Sequence, residues 1–246
     1  MPSPGDPDAA RAARAANRTF YDALWSAGYL VAPHRFNTWP ELSALAGGTT
    51  TRLEVGPGLR PRLPVRGTHF VDVSGPAVAR LREGGGLATV SDVTTLPFRD
   101  RAFDLVCAFD IVEHVEEDRR VFAELSRVAK PGASVVLSVP LQSARWTAFD
   151  ALVGHVRRYE PAQLLALLRE HGLALERTAV FGMEPRSRWL LDLAVWGLTK
   201  RRVQALRWYN AVILPLGLLT QGRLRWAPGL IDVAGVGELL LACRRS

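Results

Sequence analysis

The sequence predicts an α/β protein built on a doubly wound, mostly parallel seven-stranded sheet, with an α-helical insert before the last strand. Three observations carry this reading. Short β-branched and apolar runs alternate with helix-period patterns, as in successive β-α-β units. One of these runs, FDLVCAFDIV (103–112), is largely apolar, as strands buried on both faces are. A strand ending Leu53-Glu54-Val55 runs into Gly56 and Gly58, the turn a strand makes beneath a bound ligand.

Taken in order, residues 8–28 predict a helix, Ala-rich and then carrying Phe20, Tyr21, Leu24 and Trp25 at helix-face spacing. TTTRLEV (49–55) is the first strand and THFVDV (68–73) the second, after which Ser74 stands at an N-cap position before PAVARLRE. GLATVSDV (86–93) follows as a third strand, and residues 103–112 as a fourth. DRRVFAELSRVAK (118–130) is an amphipathic helix stopped by Pro131-Gly132. ASVVLSVP (133–140) is the fifth strand, PAQLLALLREHG (161–172) a helix, and LALERTAVFG (173–182) and GELLLACRR (237–245) two closing strands. Residues 1–48 then form an N-terminal helical cap, 49–184 the core, 185–232 the insert and 233–246 the closing strand.

The insert is unusual in composition. Residues 185–230 hold Trp189, Trp196, Trp208 and Trp226, and eight Arg or Lys against the single acid Asp192. RWLLDLAVWGL and VQALRWYNAVILPLGLL predict two amphipathic helices, suited to a packed cap, a substrate lid, a homodimer contact or a membrane surface.

Bulk properties narrow the classes. A chain of 246 residues with nearly half apolar content makes one large globular domain, with or without an elaboration. Cys107 and Cys243 each lie in a strand-like run and read as core thiols of a reduced, cytoplasmic protein. The N-terminal stretch lacks the apolar core of a signal peptide, and the longest apolar run, AVILPLGLL, is short of the roughly 20 residues that span a bilayer. The net charge of +7 comes almost wholly from arginine, Lys130 and Lys200 being the only lysines. That diffuse charge favours anionic ligands, but it forms no nucleic-acid motif, so a nucleic-acid partner is disfavoured.

In a doubly wound sheet the ligand lies outside the carboxyl ends of the strands. Four strands carry an acid there: Glu54, Asp72, Asp92 and Asp110. Asp72 follows the glycine loop's own acid at the distance where a carboxylate grips ribose hydroxyls.

The ordered set EVGPG, FVDVS, SDVTTLPFRDRAFDLV, FDIVEHV and RVAKPGASVVLSVP resembles the class I S-adenosylmethionine-dependent methyltransferases, from about Arg52 to Gly172. The resemblance implies a Rossmann-like methyltransferase fold and S-adenosylmethionine as cofactor. It implies that Gly56 and Gly58 let the backbone approach the cofactor's methionine end, with Glu54 on its polar network. Asp72 would accept from both ribose hydroxyls and Val73 would pack on the adenine. Asp92 would accept from the adenine amino group, the Val93 amide would meet a ring nitrogen, and Asp110 would face the methionine ammonium. The chain departs from the family where a third glycine and a full helix are usual, since Arg60, Pro61, Arg62 and Pro64 occupy that place. Arg60 could there substitute for the helix dipole as the partner of the cofactor's carboxylate.

Methyl transfer to a hydroxyl is helped by a base. Two clusters qualify: Glu113-His114 just past the fourth strand, and GHVRRYEP (154–161) after the fifth. In the second, His155 can shuttle a proton and Tyr159 hold an acceptor oxygen; these two, rather than His114, are expected to control the chemistry. Arg158, Trp25 and Trp146 are candidates to face the substrate. No metal-ligand spacing is present, and no metal is expected. The leading expectation is methyl transfer to a small or medium-sized, partly apolar acceptor, at oxygen, in bacterial specialised or envelope-related metabolism. The rivals are an RNA methyltransferase and a non-catalytic scaffold that binds a partner through the insert.

Overall fold

A computed structural model describes residues 19, 21–26, 28–182, 195–197 and 199–246. Most of the predicted helix 8–28 and of the insert's first helix lies outside these residues; residues 21–26 are helical as expected.

Among the described residues, eight strands form one sheet in the order β3-β2-β1-β4-β5-β8-β6-β7. They are β1 (Arg52–Val55), β2 (His69–Asp72), β3 (Leu87–Val90), β4 (Phe103–Phe109), β5 (Ala129–Pro140), β6 (Leu173–Val180), β7 (Ala227–Pro228) and β8 (Glu238–Arg245). The first five pair in parallel, and β8 lies antiparallel between β5 and β6. Seven of these strands match the expectation. The eighth, β7, is two residues that leave the insert and pair with Arg177 and Thr178, too short to show as an alternating pattern. The strand order reverses between β1 and β4, which opens a crevice at their carboxyl ends.

Helices cover both faces. They are α1 (Trp39–Gly47), α2 (Gly75–Glu83), α3 (Asp118–Val128), α4 (Ala148–Val153) and α5 (Pro161–Glu170). The insert adds α6 (Arg202–Trp208) and α7 (Leu214–Leu219), joined through a π-helical turn, Tyr209–Ile213. On one face Phe122 and Leu125 of α3 and Leu164 and Leu168 of α5 pack on Val106, Val135 and Leu241. On the other, Leu42 and Ala46 of α1 pack on Leu105, Cys107 and Val136. Both cysteines are buried and free.

Three local outcomes differ from the sequence reading. Helix α1 is not predicted, because it shows only a short apolar period and its Thr38 N-cap makes no side-chain bond. Helix α4 is short, yet its start is written as Thr147-x-x-Asp150, a capping box whose two reciprocal bonds both form. The helix expected over 118–130 ends at Val128; Ala129 pairs with Phe103, so β5 begins four residues early and passes through Pro131 and Gly132 with a register shift.

Candidate active site

The glycine loop explains its own missing helix. Its buried amides are satisfied by the acids that end the neighbouring strands. Glu54 accepts from the Arg62 amide (2.9 and 3.1 Å) and the Leu63 amide (2.9 Å). Asp72 accepts from the Gly58 amide (2.8 Å) and the Ser74 amide (2.8 Å). The Gly56 amide reaches the Val71 carbonyl, and the Val31 amide reaches the Leu59 carbonyl. Leu59 and Leu63 are buried and anchor the loop, so the donors a helix would have paired internally are paired with carboxylates. Both glycines are required. Gly56 and Gly58 have φ of +66° and +54°, and a Cβ would lie 2.0 Å from the Ile111 side chain and 2.2 Å from Trp25 respectively. Burial pushes the Glu54 carboxyl up to about 7, and Asp72 up to about 6, against the lowering pull of these amides.

Above the loop lies a cavity of about 1230 Å³. That exceeds the roughly 300–1,000 Å³ of one small-molecule site, so a cofactor and an acceptor can share it. Val73, Val93 and Asp92 line one end. Asp92 Oδ1 accepts from the Thr94 amide and hydroxyl, each at 2.8 Å. Asp110 stands at φ +54°, which turns the chain sharply off β4. Its carboxylate accepts from the Ser138 hydroxyl (2.5 Å), and that hydroxyl accepts from the Asp110 amide (3.0 Å). Glu238 also lines the cavity, and burial followed by the Asp110 charge holds its carboxyl well above the usual range.

Arg60 reaches into the cavity between Trp25 (5.1 Å) and Tyr209 (4.8 Å), and donates through Nη1 to the Tyr209 hydroxyl at 3.0 Å. Its Nε and Nη2 are buried and have no hydrogen-bond partner among the described residues. Those two donors lie side by side on the guanidinium fork, the arrangement that takes a carboxylate bidentately. A ligand with a carboxylate at this end therefore fits the residues present.

A second polar face combines residues far apart in sequence. Burial, then the nearby His155, pushes His114 down to about 3, so its ring is neutral. Its Nδ1 lies 3.2 Å from the Gly154 carbonyl, which can only accept, and Nε2 lies 3.2 Å from the Tyr21 hydroxyl. His155 packs edge-on against His114, with ring centroids 4.6 Å apart. Its Nδ1 is 2.9 Å from Asp150 Oδ1. Burial pushes Asp150 up, but bonds from His155, Thr147 and Arg158 outweigh it and hold the carboxyl below its ordinary range. An ionised Asp150 keeps the His155 proton on Nδ1 and leaves Nε2 facing the cavity, 3.8 Å from Glu113 Oε1. Glu113 is buried with neither oxygen hydrogen-bonded to another described residue, and burial followed by the Asp110 charge raises its carboxyl well above the usual range. An imidazole so fixed can take a proton from a bound hydroxyl. Glu113, His114 and His155 also offer ligand atoms within 4.8 Å of one another, so a metal-capable grouping exists that sequence spacing hides.

Of the residues singled out from sequence, the fold brings Glu54, Gly56, Arg60, Asp72, Val73, Asp92, Val93, Asp110, His114, His155, Arg158 and Trp25 to this cavity. Gly58 sits under Trp25, outside the lining. Arg158 reaches the cavity, but its guanidinium clamps both oxygens of Asp150 (2.9 and 3.1 Å). Two expectations are corrected. Tyr159 is fully buried in the core and its hydroxyl donates to Asp118 Oδ2 at 3.0 Å, so it holds no acceptor oxygen. It sits in register beside Leu141, and at that position its side chain enters the core. Trp146 is exposed outside the lining.

Sequence reasoning missed Tyr21, Tyr209 and Glu238 as lining residues. Glu238 had a readable signal. It starts the one long strand that runs antiparallel to β5, opposite Pro140. The start of β8 therefore lies at the same edge as the carboxyl ends of the others.

Residues 55–137 match the family described as "Methyltransferase domain". Norajmaline N-methyltransferase of Rauvolfia serpentina is 42% identical over 48 residues, 20% of this chain and 16% of that enzyme. An uncharacterised methyltransferase of Mycolicibacterium gilvum (strain PYR-GCK) is 26% identical over 208 residues, 79% of this chain and 76% of the relative. Among solved structures, geranyl diphosphate C-methyltransferase from Streptomyces coelicolor A3(2), determined with Mg2+, geranyl diphosphate and S-adenosyl-L-homocysteine, superposes with a TM-score of 0.57 at 14% identity, over 85% of this chain and 77% of that one. At that identity the likeness is one of fold.

Proposed function

We propose, for a chain that belongs to the class I S-adenosylmethionine-dependent methyltransferases, that it methylates a hydroxyl of a small or medium-sized, partly apolar acceptor. S-adenosylmethionine is its cofactor, and when bound it supplies an electrophilic methyl group on a sulfonium. The observation that carries the choice of oxygen is the His155 imidazole, fixed by Asp150 with Nε2 turned into a largely apolar cavity.

The roles of the chain's own residues follow from their placement. Arg60 would hold the cofactor's carboxylate through Nε and Nη2, Asp72 its ribose, Val73 and Val93 its adenine, and Asp110 its ammonium. His155 would accept the acceptor's proton at Nε2, while Asp150 stabilises the imidazolium so formed. Glu113, kept neutral by burial, would hydrogen-bond the acceptor oxygen. Trp196, Trp208, Tyr209 and Ile213 line the cavity from the insert; they would receive the acceptor's apolar part and keep water out.

Calorimetric titration with S-adenosylmethionine tests the cofactor half. Arg60→Met should weaken binding about tenfold or more, because a charge-assisted pair is lost. A matched panel of alcohols, phenols and amines tests the acceptor half. Turnover confined to amines would overturn the oxygen assignment.

A further inference from the structure

The insert's helix presents a second apolar face that nothing among the described residues covers. Across α6, the π turn and α7, buried Asn210, Leu214 and Leu218 lie on the inner side, where the two leucines pack on Val31 and Phe36. The side turned away carries Trp208 (64% exposed), Ile213, Leu216 and Leu219 (77% exposed), with Trp196 beside them in chain order; all five are more than half exposed. A helix apolar on both sides is ordinarily buried, and a cluster of this kind marks a contact surface.

Charge says which contact. From 193 to 231 the chain has six cations (Lys200, Arg201, Arg202, Arg207, Arg223 and Arg225) and no acid. Lys200, Arg201, Arg207, Arg223 and Arg225 are exposed, and none forms an ion pair among the described residues. In chain order they bracket the apolar stripe. A twofold dimer through this face would set one basic rim against its copy, since an isologous contact uses the same patch twice. An anionic lipid surface satisfies both features, with apolar side chains in the acyl boundary and arginines among the headgroups. No helix of the described residues is long and apolar enough to cross a membrane, so the contact is in-plane. Trp196, Trp208 and Ile213 belong both to this face and to the cavity lining, which places the cavity mouth at the contact.

We propose that the α6–α7 face docks on an anionic membrane surface and that the acceptor is an amphipathic, lipid-soluble alcohol entering the cavity from that surface. The second half rests on the methyltransferase reading above; the docking itself does not.

Co-sedimentation of the full chain with vesicles tests it. Vesicles of equal phosphatidylglycerol and phosphatidylcholine should bind the protein, and vesicles of phosphatidylcholine alone should bind it at least about tenfold more weakly. Added salt should release it. Leu216→Ser/Leu219→Ser, both outside the cavity lining, should cut binding about tenfold or more while affinity for S-adenosylmethionine is kept. Arg223→Glu/Arg225→Glu should do the same, and serves if the first variant fails to fold. Equal binding to both vesicle types, no binding to either, or a doubling of mass in light scattering without vesicle binding would each overturn the proposal. Vesicle binding needs no acceptor. Docking without methylation of any hydroxyl would therefore sink the oxygen reading and leave the surface standing.

Discussion

The cavity has two walls built on opposite logic. One is made by strand ends, where Glu54, Asp72 and Asp92 point into loops whose amides and hydroxyls they bind and Asp110 binds the Ser138 hydroxyl on β5. The other is helical and aromatic, with Tyr21 and Trp25 from the N-terminal segment and Trp196, Trp208 and Tyr209 from the insert. Arg60 ties the glycine loop to the insert, through its bond to the Tyr209 hydroxyl and its place between Trp25 and Tyr209. The strand-end wall is pinned by charged hydrogen bonds, which demand position to a few tenths of an ångström. The helical wall is held by dispersion and area burial, which tolerate sliding. On the function proposed above, the cofactor would sit on the first wall and an adaptable acceptor site on the second.

The largest expected effect attacks the pinned wall. Glu54→Ala leaves two buried amides unpaired, at about 1–3 kcal/mol each, and should lower the thermal midpoint by roughly 5–20 °C. Glu54→Gln retains an acceptor oxygen and should retain most of the stability. Because burial raises both Glu54 and Asp72, they favour the fold most when protonated, below their ordinary range. That contribution is lost as pH rises toward about 7 and about 6 respectively. The wild-type midpoint should therefore decline across this window relative to Glu54→Gln, as followed by calorimetry. A flat difference would mean that Glu54 is not buried as described.

Next in size, His155→Ala should lower turnover about 10² at nearly unchanged cofactor affinity. His114→Ala should chiefly reduce stability or cofactor affinity, since its two nitrogens already face Gly154 and Tyr21. The reverse pattern would move the base to His114. Tyr159→Phe separates core from site: losing the bond to Asp118 should cost about 1–3 kcal/mol of stability and leave the turnover of folded enzyme intact.

A smaller effect is expected for Asp72→Ala, about tenfold in cofactor affinity. For the wild type, affinity should fall as pH drops through about 6, where Asp72 takes a proton; Asp72→Asn should flatten that profile. The smallest belongs to the link between the walls. Tyr209→Phe should change cofactor affinity only a few-fold, because Arg60 keeps its stacking on both rings. A larger loss would show that the helical wall positions the cofactor too.

The sheet, its order of acids and the glycine loop were legible because each is a local pattern: period-two apolar runs, a terminal carboxylate, a glycine where φ is positive. The sequence by itself therefore determined the fold class and the cofactor, and it named twelve of the residues that line the cavity. It also carried the cost of the missing helix as prolines, without saying what would replace the helix's hydrogen bonds. Tertiary structure alone decided that Glu54 and Asp72 do so. It sent Tyr159 into the core while keeping His155 at the cavity, and brought Glu113, His114 and His155 together across about forty residues of sequence. An antiparallel last strand put Glu238 beside Asp110. The physical reason is the same in each case. Propensity and patterning act over a few residues, whereas which side chain fills a cavity depends on register and crossover direction, and those are set by the packing of the whole sheet.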